Sequence, residues 1–134
     1  MNFMNTSTRY NRQIILPEIG EAGQNKLAKA KVLVIGAGGL GAAVLPYLAA
    51  AGVGEIGIVD DDVIDISNLH RQVIYKTSAV GKSKAAEAKL MISELNPSIK
   101  VDAISEKLSG NNAIALFEKY DIIVDATDNI SIKY

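Results

Sequence analysis

A glycine-rich turn between two apolar segments restricts the possible folds of this chain more than any other feature. Gly36, Gly38 and Gly41 form the pattern G-x-G-x-x-G between the apolar run KVLVIG and an apolar segment at 40–51. Glycines at this spacing permit a tight turn and close packing of the following helix on the strand. A short, continuous apolar run is typical of a strand buried on both faces. The pattern therefore predicts a buried strand, a tight turn and a deeply packed helix.

The rest of the chain continues this alternation of strands and helices. Further strands are predicted at EIGIVD, IKVDAIS and DIIVDATDN, and further helices at 81–95 and 111–119. Such alternation gives a parallel sheet with helices on both faces. The predicted fold class is α/β, with a Rossmann-like, doubly wound and mainly parallel sheet.

Two helices are expected before the sheet. One follows the possible caps Thr6, Ser7 and Thr8 and ends near Leu16, because Pro17 cannot continue it. The other lies at 21–30. We therefore divide the chain into an N-terminal helical segment, 1–30, and a sheet domain, 31–134. Because a doubly wound domain usually continues with more strands, we expect this one to be truncated at its C-terminus.

Composition and charge exclude several classes of protein. The net charge is −1, so no field attracts nucleic acid or an anionic membrane. The apolar stretches are too interrupted to span a bilayer, and the N-terminal MNFMNTSTRYNRQ lacks the apolar core of a signal peptide. A cytoplasmic location is therefore expected. The 134 residues contain no cysteine, which excludes a disulfide, a thiol nucleophile and a Cys-ligated zinc site in this chain.

The glycine turn and the acid after the second strand together indicate a nucleotide site. Asp60 closes that strand, at the position where a carboxylate accepts hydrogen bonds from a ribose. The helix N-terminus after the turn favours phosphate. The alternative for the glycines is a tight turn with no ligand. A ribose needs only one acid, so a solvated loop explains Asp61 and Asp62 as well as a ligand does.

Several polar side chains are expected around the same crevice, because loops at the carboxyl ends of parallel strands face it. The stretch ISNLHRQ places Asn68, Arg71 and Gln72 there, and a guanidinium can hold phosphate with two parallel hydrogen bonds. Lys84 lies in the first turn of a predicted helix, where the helix dipole disfavours a cation unless an anion is bound. The alternatives are a surface ion pair for Arg71 and a solvated position for Lys84.

The stretch DATDN follows the fourth strand and brings further acids to this edge. Asp125 and Asp128 are expected to be the only acids near the crevice besides the group at 60–62. One carboxylate together with substrate phosphates is a typical Mg²⁺ arrangement, and an Asx-type turn is the alternative. Hydride transfer needs no cations in the crevice, whereas nucleotidyl transfer develops charge on phosphate oxygens. The residues therefore favour ATP with Mg²⁺, and an NAD-binding oxidoreductase domain is the second interpretation.

The chain also resembles a known family, the ThiF/MoeB/HesA group of ubiquitin-activating-enzyme-like adenylyltransferases. The order and spacing of that group are matched by RYNRQIILPEIG, VLVIGAGGLGAAVLPYLAAAGVGEIGIVD, SNLHRQ, VGKSKAAEA, LNP and DATDN. The resemblance implies that ATP and Mg²⁺ are used to adenylate the C-terminal glycine carboxylate of a small ubiquitin-like protein. In the bacterial branch this partner is a sulfur carrier of thiamine or molybdopterin synthesis, ending in Gly-Gly.

The resemblance also implies roles for single residues. Gly39 looks like a backbone contact to the nucleotide, Asp60 resembles the ribose acid, and Asp128 matches an acid at Mg²⁺. Arg12 resembles an arginine that reaches into the site of a neighbouring protomer, which implies a homodimer. The residues expected at the chemistry are Arg12, Arg71, Lys84 and Asp128, and those expected at the nucleotide are Gly36, Gly38, Gly39, Gly41, Asp60, Asp62, Asn68, Arg71, Gln72, Lys84 and Asn129.

The chain departs from the family in its length. Members are typically much longer, and this chain stops just after the TDN loop. We expect the nucleotide half to be nearly complete and the half that holds the carrier to be absent, so that the isolated chain binds ATP but turns over slowly. A third interpretation is a non-catalytic subunit of the same family that pairs with a complete one.

Overall fold

The strands form one parallel sheet with the first strand in its interior. A computed structural model of the protein describes residues 6–127. The elements in chain order are α1 (Thr6–Arg9), α2 (Asn11–Ile14), α3 (Gly20–Lys29), β1 (Lys31–Ile35), α4 (Gly39–Ala51), β2 (Glu55–Val59), α5 (Lys84–Leu95), β3 (Lys100–Ile104), α6 (Gly110–Phe117) and β4 (Ile122–Asp125). The order across the sheet is β3-β2-β1-β4, and every pair is parallel. The predicted parallel α/β sheet is confirmed.

Helices cover both faces of the sheet, as predicted. On one face, α4 and α5 bury Leu45 and Ile92 completely against β1 and β2. On the other face, Leu33 of β1 packs with residues of α6 and the turn after it, namely Leu116, Phe117 and Tyr120. Successive residues of β1 therefore point into two separate cores. This explains why the strand carries an unbroken apolar run.

The apolar helix α4 packs on the sheet by one face, and its Leu40 and Tyr47 are 62% and 79% exposed, so the expectation of a deeply packed helix is wrong for its outer face. It has 13 residues, whereas a bilayer span requires about 20. Its Gly41, Ala42, Leu45 and Ala49 are buried. Across the helices of residues 6–127, none is long and apolar enough to cross a membrane.

Helix α5 begins at Lys84 rather than at Gly81, where the sequence predicts its start. Gly81 has a φ of 90°, which does not belong to a right-handed helix. Ser83 caps the helix instead, and its Oγ accepts a hydrogen bond from the N–H of Ala86 at 3.2 Å. Lys84 is consequently the first helical residue.

The N-terminal segment differs from the single helix to Leu16 that the sequence predicts. It forms two short helices, α1 and α2, separated at Tyr10, whose φ of −107° and ψ of 13° are not helical. The Tyr10 ring turns inward, and its hydroxyl accepts a hydrogen bond from Asn96 at 2.6 Å. Burial of this ring interrupts the helix. The second expected helix is present as α3, and the boundary that we place at residue 30 stays a prediction.

Candidate functional site

A crevice opens at the carboxyl ends of β1 and β2. Its cavity measures about 580 Å³, a size typical of small-ligand sites. Open parallel sheets bind ligands where the strand connections diverge, and here β1 has β2 on one side and β4 on the other. The residues expected at the nucleotide that line the crevice are Gly36, Gly38, Gly39, Asp60, Asp62, Asn68, Arg71, Gln72 and Lys84.

The glycine turn brings the start of α4 to the crevice. Gly36 has a φ of 98°, which side-chain-bearing residues rarely adopt. A Cβ on Gly41 would lie 1.9 Å from the carbonyl oxygen of Gly36, so only glycine lets the helix pack this closely. Gly41 is buried behind the turn and does not line the crevice. Gly39 does line it and is the first residue of α4, so the positive end of the helix faces the crevice.

Asp60 lies in the crevice and also holds the glycine turn. Its Oδ2 accepts a hydrogen bond from the N–H of Ala37 at 2.8 Å, and its Oδ1 accepts one from the N–H of Asp62 at 2.7 Å. An ionised carboxylate has about four acceptor positions. Asp60 therefore retains capacity for ribose hydroxyls while its orientation is fixed by the backbone.

The polar loop after β2 is ordered by its own hydrogen bonds. Asp65 caps a 3-10 turn at Ile66–Asn68: its Oδ1 accepts from the N–H of Ser67 at 2.9 Å, and its own N–H donates to Asn68 at 3.0 Å. The hydroxyl and the N–H of Ser67 lower the pKa of Asp65. Arg71 donates to the Ser67 carbonyl at 3.3 Å. Its guanidinium consequently lies beside Gly39, with Nε 3.9 Å from the point where a Cβ would stand.

Lys84 is a buried cation with a weakly placed partner. Its side chain is 7% exposed, and its Nζ lies 4.0 Å from the Oδ2 of Asp62, a side chain that is 72% exposed. Water screens the charge of an exposed partner. A buried charge is costly unless it is paired and hydrogen-bonded. Lys84 therefore retains an attraction for an anion in the crevice.

Gln72 carries a second unsatisfied group in the crevice wall. The residue is 2% exposed, and its buried Oε1 has no hydrogen-bond partner among the described residues. Its Nε2 lies 3.6 Å from the point where a Cβ on Gly38 would stand. Buried polar atoms are nearly always paired, and the exceptions call for an explanation such as a ligand or a water. The oxygen is thus a buried acceptor that a water or a ligand can satisfy.

Consecutive carboxylates line one side of the crevice. One oxygen from each of Asp60, Asp61 and Asp62 lies within 4.8 Å of the others. Exposed acidic groups are common without a metal, so this cluster alone assigns no ion. Asp128, the acid expected at Mg²⁺, and Asn129 beside it lie outside residues 6–127. The described chain reaches the crevice at Thr127.

Asp125 forms the local turn that was the alternative to a metal role. Its Oδ1 accepts hydrogen bonds from the N–H of Thr127 at 3.0 Å and from the Thr127 hydroxyl at 2.7 Å. This is the pattern of an Asx-type turn after a strand. Asp125 does not line the crevice.

Arg12 lies at the opposite end of the domain from the crevice. It is exposed on α2, and its neighbour Gln13 donates to the carbonyl of Ala51 at 2.7 Å. Ala51 is the last residue of α4 and Gly39 is the first, so the 13-residue helix, about 20 Å long, separates Arg12 from the crevice. A role for Arg12 at a crevice therefore requires a second chain.

Two contributions to this region are absent from the sequence-based expectations. Glu106, Lys107 and Leu108, from the loop after β3, line the crevice, so the expectation about its acids is wrong. The signal was available, because this loop also follows the carboxyl end of a parallel strand. The second contribution is Tyr75, whose hydroxyl donates to the carbonyl of Ala37 at 2.6 Å. No local pattern in the sequence pairs those two residues.

Comparison with known protein families matches residues 10–134 to the ThiF family. The chain belongs to the ThiF family. The resemblance read from the sequence motifs is therefore confirmed.

Relatives with related names match most of this chain but only part of their own length. A sulfur carrier protein adenylyltransferase from Thermus thermophilus is 49% identical over 126 residues, which cover 94% of this chain and 46% of the relative. An adenylyltransferase and sulfurtransferase, UBA4, from Debaryomyces hansenii is 54% identical over 127 residues, which cover 94% of this chain and 28% of the relative. The chain thus spans less than half the length of either relative.

A solved structure of similar fold contains a nucleotide. The Escherichia coli tRNA N6-threonylcarbamoyladenosine dehydratase TcdA, in complex with ATP, matches this ThiF-family chain with a TM-score of 0.84 and 28% identity. The match covers 92% of this chain and 51% of TcdA.

Proposed function

We propose that this chain binds ATP with Mg²⁺ in the crevice. In this proposal it supplies the nucleotide-binding part of an adenylyltransferase that activates the C-terminal glycine carboxylate of a small ubiquitin-like sulfur carrier. The observation that carries the proposal is the buried Lys84, which lines the same cavity as the glycine turn and Arg71. These groups together fit a polyphosphate.

The cations favour ATP over NAD. A nicotinamide dinucleotide accounts for the glycine turn and for Asp60, but it leaves Arg71 and Lys84 without a purpose. A triphosphate carries more negative charge, and it matches a cation kept out of water whose ion-pair partner is exposed and 4.0 Å away. The buried cation with an exposed partner therefore argues for nucleotidyl transfer.

The proposed reaction is an attack of the carrier on the α-phosphate. A carboxylate oxygen of the carrier's terminal glycine forms a bond to the α-phosphorus. The bond from that phosphorus to the oxygen bridging to the β-phosphate breaks, and pyrophosphate leaves with the electron pair. No protein nucleophile is required, because the protein aligns the reactants and stabilises negative charge.

Several residues of the crevice have parts in this scheme. The start of α4 at Gly39 and the guanidinium of Arg71 bind phosphate oxygens, and Lys84 neutralises the charge that develops on them. Asp60 accepts the ribose hydroxyls, and Asn68 contacts the phosphates beside Arg71. We assign Mg²⁺ to Asp128 on the family resemblance, with Asn129 beside it; when bound, the ion stabilises charge on the phosphates and the leaving pyrophosphate.

The proposal includes a homodimer in which Arg12 serves the crevice of the partner. The distance of α2 from its own crevice supports a role in trans. Exposed apolar residues next to Arg12, Ile15 at 64% and Leu16 at 48% exposure, give that end a surface suited to contact with another chain.

The names of two relatives support the choice of partner. One relative acts on a sulfur carrier protein, and a relative from Porphyra purpurea, 50% identical, is named for molybdopterin synthase. We therefore propose a sulfur carrier of the thiamine or molybdopterin type, used in the cytoplasm.

The first experiment is thermal unfolding of this chain with Mg-ATP, with ATP plus a chelator, and with NAD. A ligand at about a hundred times its dissociation constant stabilises the folded state by roughly 2.7 kcal/mol, which raises the midpoint by several degrees. We expect Mg-ATP to raise the midpoint, the chelator to reduce the rise and NAD to have no effect. Stabilisation by NAD alone would favour the oxidoreductase interpretation and contradict the roles proposed for Arg71 and Lys84.

The second experiment tests the chemistry with a carrier ending in Gly-Gly. Carrier-dependent exchange between labelled pyrophosphate and ATP reports the adenylate. A carrier with its terminal glycine deleted is the control, because it keeps the docking surface and removes the reacting carboxylate from its position. Exchange that is equal with both carriers contradicts the proposed acceptor.

A further inference from the structure

Two hydrogen bonds, both made by the backbone of Ala37, fix the glycine turn. The N–H of Ala37 donates to Asp60 at 2.8 Å, and the carbonyl of Ala37 accepts from the Tyr75 hydroxyl at 2.6 Å. Ala37 is fully buried, so water cannot readily replace either partner. One hydrogen-bond partner, Asp60, lies at the end of β2, and the other, Tyr75, lies in the polar loop that follows it.

Tyr75 belongs to the same loop as the phosphate-binding candidates. Its N–H donates to the carbonyl of Gln72 at 3.2 Å, and the residue is 6% exposed. The hydroxyl therefore joins the loop that carries Arg71 to the turn that begins α4. This contact ties the position of the guanidinium to that of Gly39.

The Tyr75 hydroxyl is a donor at neutral pH. Burial, and to a smaller degree the charge of Asp60, raises the pKa of Tyr75 well above its ordinary value. A neutral phenol donates to a carbonyl, whereas a phenolate would be repelled by it. The short distance and the neutral state of the phenol therefore both favour a persistent hydrogen bond from Tyr75 to the carbonyl of Ala37.

We propose that Tyr75 is a positioning residue of the nucleotide site, which keeps the glycine turn in register with the Arg71 loop so that both reach the same phosphates. This inference rests on the proposed function of the crevice. Tyr75 lies behind the turn and does not line the crevice, so it acts through Ala37 rather than on the nucleotide.

The test compares Mg-ATP and adenosine binding to Tyr75→Phe by calorimetry. The substitution keeps the ring and deletes only the hydroxyl. We expect the dissociation constant for Mg-ATP to rise about tenfold, as for the loss of one well-placed hydrogen bond. Adenosine carries no phosphate, so its dissociation constant should stay within about twofold of that of the unsubstituted chain.

Tyr120→Phe is the matched control. The Tyr120 ring packs in the core on the other face of the sheet, over Gly57 and away from the turn. It should leave both dissociation constants unchanged. The positioning role would be overturned if folded Tyr75→Phe binds Mg-ATP as tightly as the unsubstituted chain does. It would also be overturned if the dissociation constant for adenosine rises as much as that for Mg-ATP. Absence of Mg-ATP binding by the unsubstituted chain would instead overturn the proposed function itself.

A second measurement needs no nucleotide. Amide hydrogen exchange at residues 36–39 should be faster in Tyr75→Phe than in Tyr120→Phe, because the turn has lost one of its two holds. Equal exchange contradicts the proposal. If Tyr75→Phe does not fold, NMR of the unsubstituted chain decides. The Tyr75 hydroxyl proton should exchange slowly and shift with Mg-ATP but not with adenosine, and failure of either sinks the inference.

Discussion

Two buried polar clusters lie at opposite ends of α4, and they differ in how completely their hydrogen bonds are made. The far-end network consists of Tyr10, Gln13, Gln24 and Asn96. The crevice cluster consists of the buried Gln72 and Lys84 and the exposed Asp62. Both clusters include polar side chains that are out of water next to the same helix, so burial alone does not distinguish them.

The far-end network is saturated by partners within the protein. Gln24, 1% exposed, accepts from Gln13 and donates to the Ala51 carbonyl at 3.1 Å. Asn96, fully buried, donates to Tyr10 and to the Ala49 carbonyl at 2.8 Å. These bonds fasten the N-terminal helices to the last turn of α4. Satisfied groups of this kind define one arrangement of the chain.

The crevice cluster leaves its bonds incomplete. The Oε1 of Gln72 has no partner among the described residues, and the ion pair of Lys84 is with an exposed carboxylate at 4.0 Å. Folding alone gains little from such groups, because their desolvation is not repaid. The comparison teaches that the completeness of hydrogen bonding, more than burial, distinguishes a polar cluster that stabilises the fold from one suited to bind a ligand.

The largest loss of stability is expected at the far end, for Asn96→Ala. Its removal leaves the Tyr10 hydroxyl and Ser98 without their partners, and the Ala49 carbonyl with only the Gly52 N–H at 3.1 Å. The expected cost is about 3 kcal/mol in the free energy of unfolding. Urea unfolding measures it, and Asn111→Ala on the exposed side of α6 is the control. The folded variant should bind Mg-ATP normally. A loss below about 1 kcal/mol would show that the far-end network contributes little to the stability of the fold.

The same substitution made in each cluster should have opposite consequences. Gln24→Met breaks satisfied bonds and should cost about 2 kcal/mol of stability. Gln72→Met removes an unsatisfied oxygen at similar side-chain length, so its stability should lie within about 1 kcal/mol of the unsubstituted chain. Only Gln72→Met should weaken Mg-ATP binding. Urea midpoints and calorimetry measure the pair, and equal destabilisation by the two variants breaks the comparison.

Replacement of the buried cation separates stability from function further. Lys84→Met should change the free energy of unfolding by less than about 1 kcal/mol, because an apolar residue of similar volume avoids the desolvation of the charge. Its dissociation constant for Mg-ATP should rise at least about tenfold, since a charged contact to phosphate is lost. Lys89→Met, at an exposed position of α5, is the control. Unchanged Mg-ATP affinity in Lys84→Met would contradict the phosphate-binding role of Lys84, on which the proposed function rests.

The smallest expected effect is a pH dependence from Tyr75. Burial raises its pKa above the ordinary value of 10.0. Its contribution is therefore complete below that pH and declines as the pH rises towards the folded-state pKa, because the unfolded tyrosine ionises first. At pH 10 this removes about half a kcal/mol, and Tyr75→Phe should abolish that share of the decline. Urea unfolding between neutral pH and pH 10 tests it, with the exposed Tyr47→Phe as the control that keeps the full decline.

What the sequence predicted is what local patterns encode. The strands, the glycine turn, Asp60 and the loop with Arg71 are visible because period, spacing and chain order are local properties. The conflict between a cation and a helix start applies to Lys82 and Lys84 alike, and the family resemblance selects Lys84. The structure brings the glycine turn, Asp60, Arg71 and Lys84 to one crevice.

What the sequence did not predict depends on contacts between distant residues. Tyr10 and Asn96 are 86 residues apart, and Ala37 and Tyr75 are 38 apart, so no window of periodicity contains either pair. The interruption of the first helix at Tyr10 follows from the first contact, and the hold on the glycine turn follows from the second. The roles of Arg12, Asp128 and Asn129 stay predictions.

The strand order has a consequence for how the chain acquires its structure during synthesis. β1 meets β2 early, but its other neighbour, β4, begins about 90 residues later, where Lys31 bonds to Asp121. At translation rates of about 5–20 residues per second, one edge of this apolar strand stays open for roughly 5–20 seconds. Open strand edges recruit other strands. Nascent chains that have not yet reached β4 should therefore be the species most prone to aggregate, because β4 covers the second edge of β1.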